Sequence, residues 1–340
     1  MREKESNMIR WKRHCRIAAL MLLLTLGGCS SSKATVEEVM EDIKTTQHKE
    51  QECSLAFDDV ILQVGTSKVT YREVLFYVYQ AKRNYEEKLD KEVWDVILKD
   101  GNSFEEYAKE EILREVTEMK VICEEAAEEE ILLSDAEIME AENKAAAFLQ
   151  ERTKEEKECF GFEEEGLQKI FMEHALADKM YQRVVKEADI TLDEEEFRQV
   201  TVQYIWVEAD EKNREKACAR AKKLLAKAEK QKDFFAFAKE KTDADEITVT
   251  FGKENMPDEI GEVSLTLKTG ELSEVIEGTD GYYIIYCVND KEEQLTADKR
   301  KEKQEEMESQ AFESAYTKWS EKYTIEVSIK LWNTIPIKEL

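Results

Sequence analysis

Apolar and polar residues follow two different periods along the chain, and the change of period predicts where strands and helices lie. Residues 60–64 form a short apolar run that ends at Gly65, a pattern typical of a buried strand. Residues 202–207 and 324–329 alternate in character, which predicts two further strands. Elsewhere apolar residues return every three or four positions, which predicts amphipathic helices. The first two helical stripes consist of Val74, Val78, Ala81 and Tyr85, and of Phe104, Ala108, Ile112 and Val116.

A repeated capping signal marks the predicted helix starts. In each case a Ser or Thr is followed three residues later by a Glu, so that the hydroxyl and the carboxylate can each accept a hydrogen bond from an amide of the first turn. The pairs are Thr70 with Glu73, Ser103 with Glu106, Ser134 with Glu137, and Thr191 with Glu194. They predict four helices.

The composition favours helices and argues against nucleic acid as a partner. Of 340 residues, 77 are acidic and 50 basic, and the net charge of −27 repels phosphate backbones. Charged residues make up 37% of the chain, whereas there are only 2 prolines and 11 glycines to interrupt helices. We therefore expect a helix-dominated α+β protein.

The N-terminus has the features of an export signal. A basic flank precedes an apolar run at 17–26, which is too short to span a bilayer, because a spanning helix needs roughly 20 apolar residues. The run ends in Leu26-Gly27-Gly28-Cys29, which resembles the lipobox of bacterial lipoproteins. This resemblance implies that residues 1–28 are a cleaved signal peptide, that Cys29 carries a lipid anchor outside the cytoplasm, and that residues 29–52 form a tether. The alternatives are an uncleaved anchor, or a secretory signal with an incidental cysteine.

The remaining cysteines and histidines indicate neither a metal site nor a nucleophilic catalyst. The cysteines after the lipobox lack CxxC spacing, so we expect small buried side chains instead of zinc ligands or a disulfide framework. They are Cys53, Cys123, Cys159, Cys218 and Cys287. Only His48 and His174 follow the predicted cleavage site, so we expect no catalytic triad, no histidine-based metal site and no cofactor.

The order of elements between residues 53 and 198 resembles that of a class of chaperones. An apolar strand, a glycine, Val69-Thr70 and a capped helix come first, and a further helix lies at 174–181. This order is similar to the helical N-terminal region of SurA-type, trigger-factor-type and PrsA-like extracytoplasmic chaperones. The resemblance implies a helical chaperone domain that binds unfolded exported proteins through apolar and aromatic surface.

Residues 199–291 resemble a parvulin-type peptidyl-prolyl isomerase domain. The strand at 202–207 precedes two amphipathic helices, the turn Lys268-Thr269-Gly270-Glu271-Leu272-Ser273, and a strand that begins Gly281-Tyr282-Tyr283-Ile284-Ile285. The resemblance implies an α/β domain that catalyses rotation about X-Pro bonds. The family needs neither a covalent intermediate nor a cofactor for this reaction.

The same resemblance implies a pocket for proline. Phe251, Met256 and Ile260 fall where the family keeps large apolar residues, and Asp243 falls where it holds cysteine or aspartate. Such a pocket holds the proline ring, excludes water from the amide and favours its twisted state. The alternative is that the three apolar residues belong only to the core and that Asp243 is a loop or cap residue.

The polar centre departs from the family pattern. Parvulins usually carry two histidines near the catalytic centre, whereas the matching positions here hold Tyr204 and Tyr283. The threonine that often precedes the last strand corresponds to Gly278, and the leucine and glycine of the family's LGxF segment correspond to Thr248 and Val249. A tyrosine keeps a planar ring and a hydroxyl but stays neutral near pH 7. We predict that both tyrosines lie in the catalytic centre with Asp243 and preserve its architecture, with full isomerase activity left open.

Residues 292–340 are predicted to return to the N-terminal region. Thr296 can cap a long charged helix, after which residues 324–329 read as a strand. In the resembling chaperones the C-terminal segment packs on the N-terminal region, so we expect residues 60–64 and 324–329 in one small sheet. This layout makes the parvulin-like domain an insertion.

These features favour a lipid-anchored extracytoplasmic foldase. Its expected partners are unfolded or X-Pro-containing exported proteins, and the membrane, to which the lipid on Cys29 attaches it. The alternative is a non-enzymatic holdase chaperone in which the parvulin-like domain only binds. A solute-binding lipoprotein is disfavoured, because the chain lacks the repeated βα units that build two ligand-binding lobes.

Overall fold

The computed structural model describes residues 55–99 and 101–340. The predicted signal peptide at 1–28, the lipidation site Cys29 and the tether at 29–52 lie outside the described residues. Within the described part, no helix combines the length and the apolar character that a membrane crossing requires. The chain divides into two compact units. Of the described residues, the body unit contains those up to Asp189 together with Glu308–Leu340, and the inserted unit contains Ile190–Met307.

The described elements alternate between long helices and short strands. The N-terminal part has β1 (Val60–Val64), β2 (Ser67–Thr70), α1 (Tyr71–Leu89), α2 (Phe104–Glu128), α3 (Asp135–Gln150), α4 (Lys154–Cys159) and α5 (Glu164–Glu187). Next come β3 (Val200–Glu208), α6 (Arg214–Ala228), α7 (Phe234–Lys241), β4 (Thr248–Phe251), α8 (Gly261–Thr266), β5 (Ile276–Glu277) and β6 (Gly281–Asn289). The chain ends with α9 (Glu293–Ser320), β7 (Ile325–Val327) and α10 (Ile329–Asn333), and short 3-10 turns lie at Lys91–Asp95, Glu194–Glu196 and Lys253–Asn255. The predicted helix-dominated α+β class is confirmed.

Most of the predicted helix starts are confirmed. Full capping boxes begin α2 at Ser103 and α3 at Ser134, each with its Glu at the third helical position. Thr70 caps α1 with its hydroxyl alone, because the carboxylate of Glu73 is bound to lysines instead. A further box, Thr153 with Glu156, begins the short helix α4 and was not predicted.

Two predicted caps are wrong. Thr191 starts no α-helix; only a 3-10 turn follows, and Asp193 caps it by accepting from the amide of Glu195. Helix α9 begins at Glu293, before Thr296. The Thr296 hydroxyl instead accepts a hydrogen bond of 3.0 Å from the amide of Gln199, so it holds the segment that leads into β3.

The body unit closes its sheet with the C-terminal strand. The order is β2-β1-β7, with antiparallel pairing throughout. Leu62 lies opposite Val327 and Val64 opposite Ile325, which confirms the predicted sheet of residues 60–64 with the C-terminal segment. Gly65 adopts φ 56° at the turn after β1, a conformation that costs glycine little.

The C-terminal residues complete the core of the body unit. Trp332, Ile335 and Ile337 are buried to 2% exposure or less, in one cluster with the apolar faces of α1, α2 and α5. Glu125 of α2 is also buried and accepts hydrogen bonds from Lys322 and Tyr323. The segment after α9 is therefore part of the fold of this unit.

A buried charge network joins three helices of the body unit. Lys120 of α2, whose side chain is 1% exposed, forms ion pairs with Glu73 of α1 and Glu173 of α5. The Lys120 Nζ lies 2.6 Å from both carboxylate oxygens of Glu173. Burial by itself lowers the pKa of Lys120, but Glu173 and Glu73 raise it above its ordinary value. Lys120 thus stays charged and keeps both carboxylates paired.

A half-buried carboxyl on α5 gives the body unit a pH-dependent stability. Burial raises the pKa of Asp178 to about 6, and Lys144 offsets this only in part. The folded-state pKa is above that of the unfolded chain, so the protonated carboxyl favours the folded state. This contribution to the free energy of unfolding is present at low pH and is lost as the pH rises through about 6. We expect Asp178→Asn to raise the free energy of unfolding by about 1–2 kcal/mol near pH 7.5 and to have little effect near pH 4. Urea unfolding at both pH values checks this, and equal effects at both would contradict it.

The inserted unit is built on a four-stranded antiparallel sheet in the order β4-β3-β6-β5. Side chains alternate between its two faces. Helices α6 and α7 cover one face, where Ile205, Val207, Tyr282 and Ile284 are buried. The opposite face carries a second cluster to which α8 and the segment before it contribute. This second face holds the residues predicted to bind proline.

Candidate substrate-binding face of the inserted unit

The two central strands place aromatic side chains next to each other on the face opposite α6 and α7. Tyr204 and Trp206 lie two residues apart on β3 and therefore share a face. Trp206 pairs with Tyr283 of β6, and Tyr283 pairs in turn with Ile276 of β5. The same cluster contains Ile285 and partly buried Tyr204 and Trp206. We call these residues, with Met256 and Ile260, the aromatic face.

The three apolar residues predicted for the proline pocket converge on this face. Phe251, at 1% exposure, and Ile260, at 4%, are buried, and Met256 is partly buried against them. A Cβ at Gly261 would lie 1.8 Å from Cγ of Met256, so the methionine packs directly on the backbone at the start of α8. Phe251 forms the base of the cluster, and Met256 keeps exposed surface that a proline ring can contact. Their roles in substrate binding stay predictions.

The two tyrosines that replace the family histidines contact each other. Their ring centroids are 6.1 Å apart with an interplanar angle of 49°. The Tyr283 hydroxyl donates to both carboxylate oxygens of Asp280, at 2.8 and 3.0 Å. Burial, and then the hydrogen bond to Asp280, raise the pKa of Tyr283, and burial and Glu246 raise the pKa of Tyr204. Both side chains are therefore neutral hydroxyl groups near pH 7.

Gly278 leaves room for the larger ring. A Cβ at this position would lie 2.8 Å from Cε2 of Tyr283 and 2.7 Å from Cγ of Glu259. Any other side chain here would displace the tyrosine ring. The glycine in place of the threonine that the family often has is thus compatible with a tyrosine in place of the histidine.

Asp243 is engaged away from the tyrosine pair. Its carboxylate binds Arg220 of α6 at 2.6 and 3.0 Å and accepts from the amide of Glu208 at 3.1 Å. Burial would raise the pKa of Asp243, but the hydrogen bonds from Arg220 and Glu208 lower it below its ordinary value. The connection to the aromatic face is a backbone one, from the Asp243 amide to the carbonyl of Trp206 at 2.8 Å. A catalytic role for Asp243 stays a prediction.

Two residues of this region were not predicted. Trp206 has a buried indole Nε1 with no hydrogen-bond acceptor among the described residues. The alternation of β3 already puts Trp206 on the face of Tyr204, so the sequence contained the signal. Asp280, which orients Tyr283, lies in a loop, and no periodicity identifies it.

The chemistry that this arrangement can perform is non-covalent. Cys287 on β6 is completely buried, and burial raises the pKa of its thiol to about 11, so it is no nucleophile at neutral pH. In the part of the chain that the structure describes, no group of three His, Cys, Asp or Glu residues is placed to hold a metal ion. What the face offers is apolar surface bordered by two neutral hydroxyls.

The absence of histidine from this face predicts a flat pH profile. Since neither Tyr204 nor Tyr283 titrates near neutrality, we expect kcat/KM for an X-Pro peptide to change less than about twofold between about pH 6 and about pH 8. The measurement is a series of initial rates in buffers of matched ionic strength. A bell-shaped or sigmoidal profile with a midpoint near pH 6.5 would show that a titrating group outside the tyrosine pair controls the reaction.

Comparison with known proteins agrees with this geometry. Residues 199–289 match the family described as Rotamase: PPIC-type PPIASE domain. The chain is 26% identical to the foldase protein PrsA of Caldanaerobacter subterraneus subsp. tengcongensis over 287 residues. This aligned region covers 79% of this chain and 79% of that protein.

Two solved structures are similar to this chain at lower sequence identity. The crystal structure of PrsA from Bacillus subtilis is 17% identical and covers 78% of this chain and 92% of its own, with a TM-score of 0.24. A SurA-like chaperone of Campylobacter jejuni is 13% identical and covers 79% of this chain and 98% of its own, with a TM-score of 0.30. Residues 199–289 are a PPIC-type peptidyl-prolyl isomerase domain, and the predicted resemblance to parvulin-type isomerases of the PrsA kind is confirmed.

Proposed function

We propose that the chain is a membrane-anchored extracytoplasmic foldase in which the inserted unit isomerises X-Pro bonds of exported proteins. The observation that carries the proposal is the convergence of Met256, Ile260, Tyr204 and Tyr283 on one face of a PPIC-type domain. The relative with 26% identity is named a foldase, which supports the same activity.

The reaction needs no bond to the substrate. Rotation about the amide has a barrier of about 18–20 kcal/mol, because the C–N bond has double-bond character that the twisted state loses. The apolar side chains Met256 and Ile260 hold the proline ring and keep water from the amide. The Tyr204 hydroxyl borders the cluster, where it can bind the rotating carbonyl as a neutral donor, whereas the single proton of the Tyr283 hydroxyl is engaged by Asp280. The rate gain depends on binding the twisted amide better than either planar form.

The domain limits that we propose follow the sequence. Residues 53–198 are a helical chaperone region, residues 199–291 the isomerase domain, and residues 292–340 a C-terminal segment that belongs with the chaperone region. The division of the described chain near Ile190 and Met307 supports the insertion. The chaperone region would hold unfolded chains while the inserted domain acts on their prolines.

Anchoring through Cys29 would place this activity where exported chains emerge. Tethering raises the effective concentration of the foldase near its clients. We expect Cys29→Ser to move the protein from the membrane fraction to the soluble fraction when whole cells are fractionated. Mass spectrometry of the mature N-terminus checks the lipid, and an unmodified N-terminus at another residue would contradict lipidation of Cys29.

The second candidate is a holdase that binds unfolded chains without isomerising them. The observation that favours it is the replacement of both family histidines by Tyr204 and Tyr283. Refolding of a client limited by proline isomerisation separates the two functions, when it is run beside light scattering of an aggregating client. The foldase accelerates the slow refolding phase, whereas a holdase suppresses aggregation and leaves that phase unchanged.

A further inference from the structure

A pocket of about 500 Å³ opens in the body unit beside the start of α1 and the start of α5. Its volume lies within the range of about 300–1,000 Å³ that is usual for ligand sites. All the residues that line it belong to the body unit. Its apolar wall consists of Phe76, Phe162, Leu167 and Ile170.

The charged residues of this pocket are unequally engaged. Arg72 is held in place, since its Nη1 donates to the carbonyl of Gly161 at 2.9 Å and pairs with Glu163 at 2.6 Å. Glu165 is exposed and forms no ion pair with any residue in the described ranges 55–99 and 101–340. The rim therefore presents one carboxylate to solvent, while its arginine is already neutralised.

The buried carboxylate of Glu73 lines the pocket and is paired with two different lysines. Glu73 is 6% exposed, and one of its oxygens contacts Lys120, which the network with Glu173 fixes in the core. Its other oxygen, Oε2, lies 2.9 Å from Nζ of Lys169. The Lys169 side chain is 52% exposed, and it also lies 3.6 Å from Glu173, so it can turn into solvent when another cation takes its place beside Glu73. Oε2 of Glu73 is thus a cation position that an exposed lysine of the same chain occupies.

We propose that this pocket binds the side chain of an arginine or lysine in an unfolded, extended client polypeptide. The cation takes the place of Lys169 at Oε2 of Glu73, and its aliphatic stem packs along Phe76 and Phe162. A guanidinium suits such a site, because it is weakly hydrated and stacks on aromatic rings. The net charge of −27 attracts basic segments to the protein. The proposal rests on the proposed foldase function and names the kind of client segment that the body unit selects.

The test measures peptide binding to the full chain by fluorescence anisotropy. The probe is a labelled heptapeptide with a central arginine and otherwise small neutral residues. Its matched control carries citrulline, which has the same shape without the charge. We expect the arginine peptide to bind at least about tenfold more tightly than the citrulline peptide at low salt, with a difference that shrinks as salt is raised.

Two variants locate the binding in the pocket. Gly166 lines the pocket, and a Cβ there has only an ordinary contact of 3.8 Å with Cδ of Arg72, so Gly166→Leu fills the space without disrupting α5. We expect it to weaken arginine-peptide binding at least about tenfold, while Gln168→Leu, on the same helix outside the pocket, leaves binding unchanged. Lys169→Gln removes the competing cation and is expected to strengthen binding about threefold or more.

Each result bears on the proposal. Equal binding of the two peptides, retention of binding by Gly166→Leu, or weaker binding to Lys169→Gln would overturn it, and the last would indicate an anionic ligand instead. N-acetylarginine amide that binds as tightly as the peptide would overturn the assignment to a polypeptide. The isomerase assay distinguishes a failure here from a failure of the proposed function, because Gly166→Leu leaves the aromatic face unchanged and should keep full activity on a short X-Pro peptide.

Discussion

Lys120→Met is expected to lower the free energy of unfolding by about 3–5 kcal/mol, because it leaves two carboxylates buried without their shared cation. The half-exposed Lys169 keeps contacts of 2.9 Å with Glu73 and 3.6 Å with Glu173, but Glu173 loses the cation that lies 2.6 Å from both of its oxygens. Methionine fills a similar volume, so the lost stability comes from the removal of the charge and not from a cavity. Urea unfolding followed by far-ultraviolet circular dichroism measures the effect.

The matched control is Lys154→Met. Lys154 pairs with Glu158 on α4, with both side chains mostly exposed, and we expect its removal to cost less than about 1 kcal/mol. Adding Glu173→Gln to Lys120→Met should recover part of the lost stability, because it removes one of the unpaired charges. A Lys120→Met variant that is as stable as Lys154→Met would show that the network contributes little.

Met256→Ala is expected to lower kcat/KM for an X-Pro peptide by about 10- to 100-fold. The side chain packs on the backbone of Gly261 and presents the apolar surface that contacts the proline ring. Loss of about 1.5–3 kcal/mol of apolar burial in the transition state corresponds to a change of that size. A protease-free assay on a short peptide measures it.

Met139→Ala is the control for this variant. Met139 is 60% exposed on α3 and belongs to the body unit, so its truncation should leave the isomerase rate unchanged. Circular dichroism of both variants establishes that each is folded. Activity of Met256→Ala at the level of Met139→Ala would remove Met256 from the substrate site.

Regular periodicity accounts for what was predictable in this fold. The strand at residues 60–64 and the boxes at Ser103 and Ser134 follow from local patterns, because each depends on residues a few positions apart. The pairing of that strand with the C-terminal strand was predicted from the resemblance to the chaperones. The helix start predicted at Thr191 is wrong for a physical reason. Asp193, and not Thr191, accepts from an amide of the turn, and the chain is already extended at Val200, so only a 3-10 turn forms between them.

The residues of the candidate site were predicted from the resemblance to parvulin-type isomerases, and the strands then bring them to one face. Tyr204 and Tyr283 could be placed on facing strands, and their contact follows from the register. The engagement of Asp243 with Arg220 could not be predicted, since it joins a loop to a helix 23 positions earlier in the chain. The same holds for Lys120, which sits in an apolar stripe and finds its two partners on other helices.

The decisive measurement is the rate of cis-trans exchange in an Ala-Pro peptide, observed by two-dimensional exchange NMR with the full chain at catalytic concentration. Without a catalyst the exchange takes tens to hundreds of seconds at 25 °C. A PPIC-type domain with an active aromatic face is expected to accelerate it at least about tenfold, in proportion to the protein concentration. An exchange rate equal to the uncatalysed one, with the peptide nevertheless bound, would contradict the isomerase and leave a binding domain.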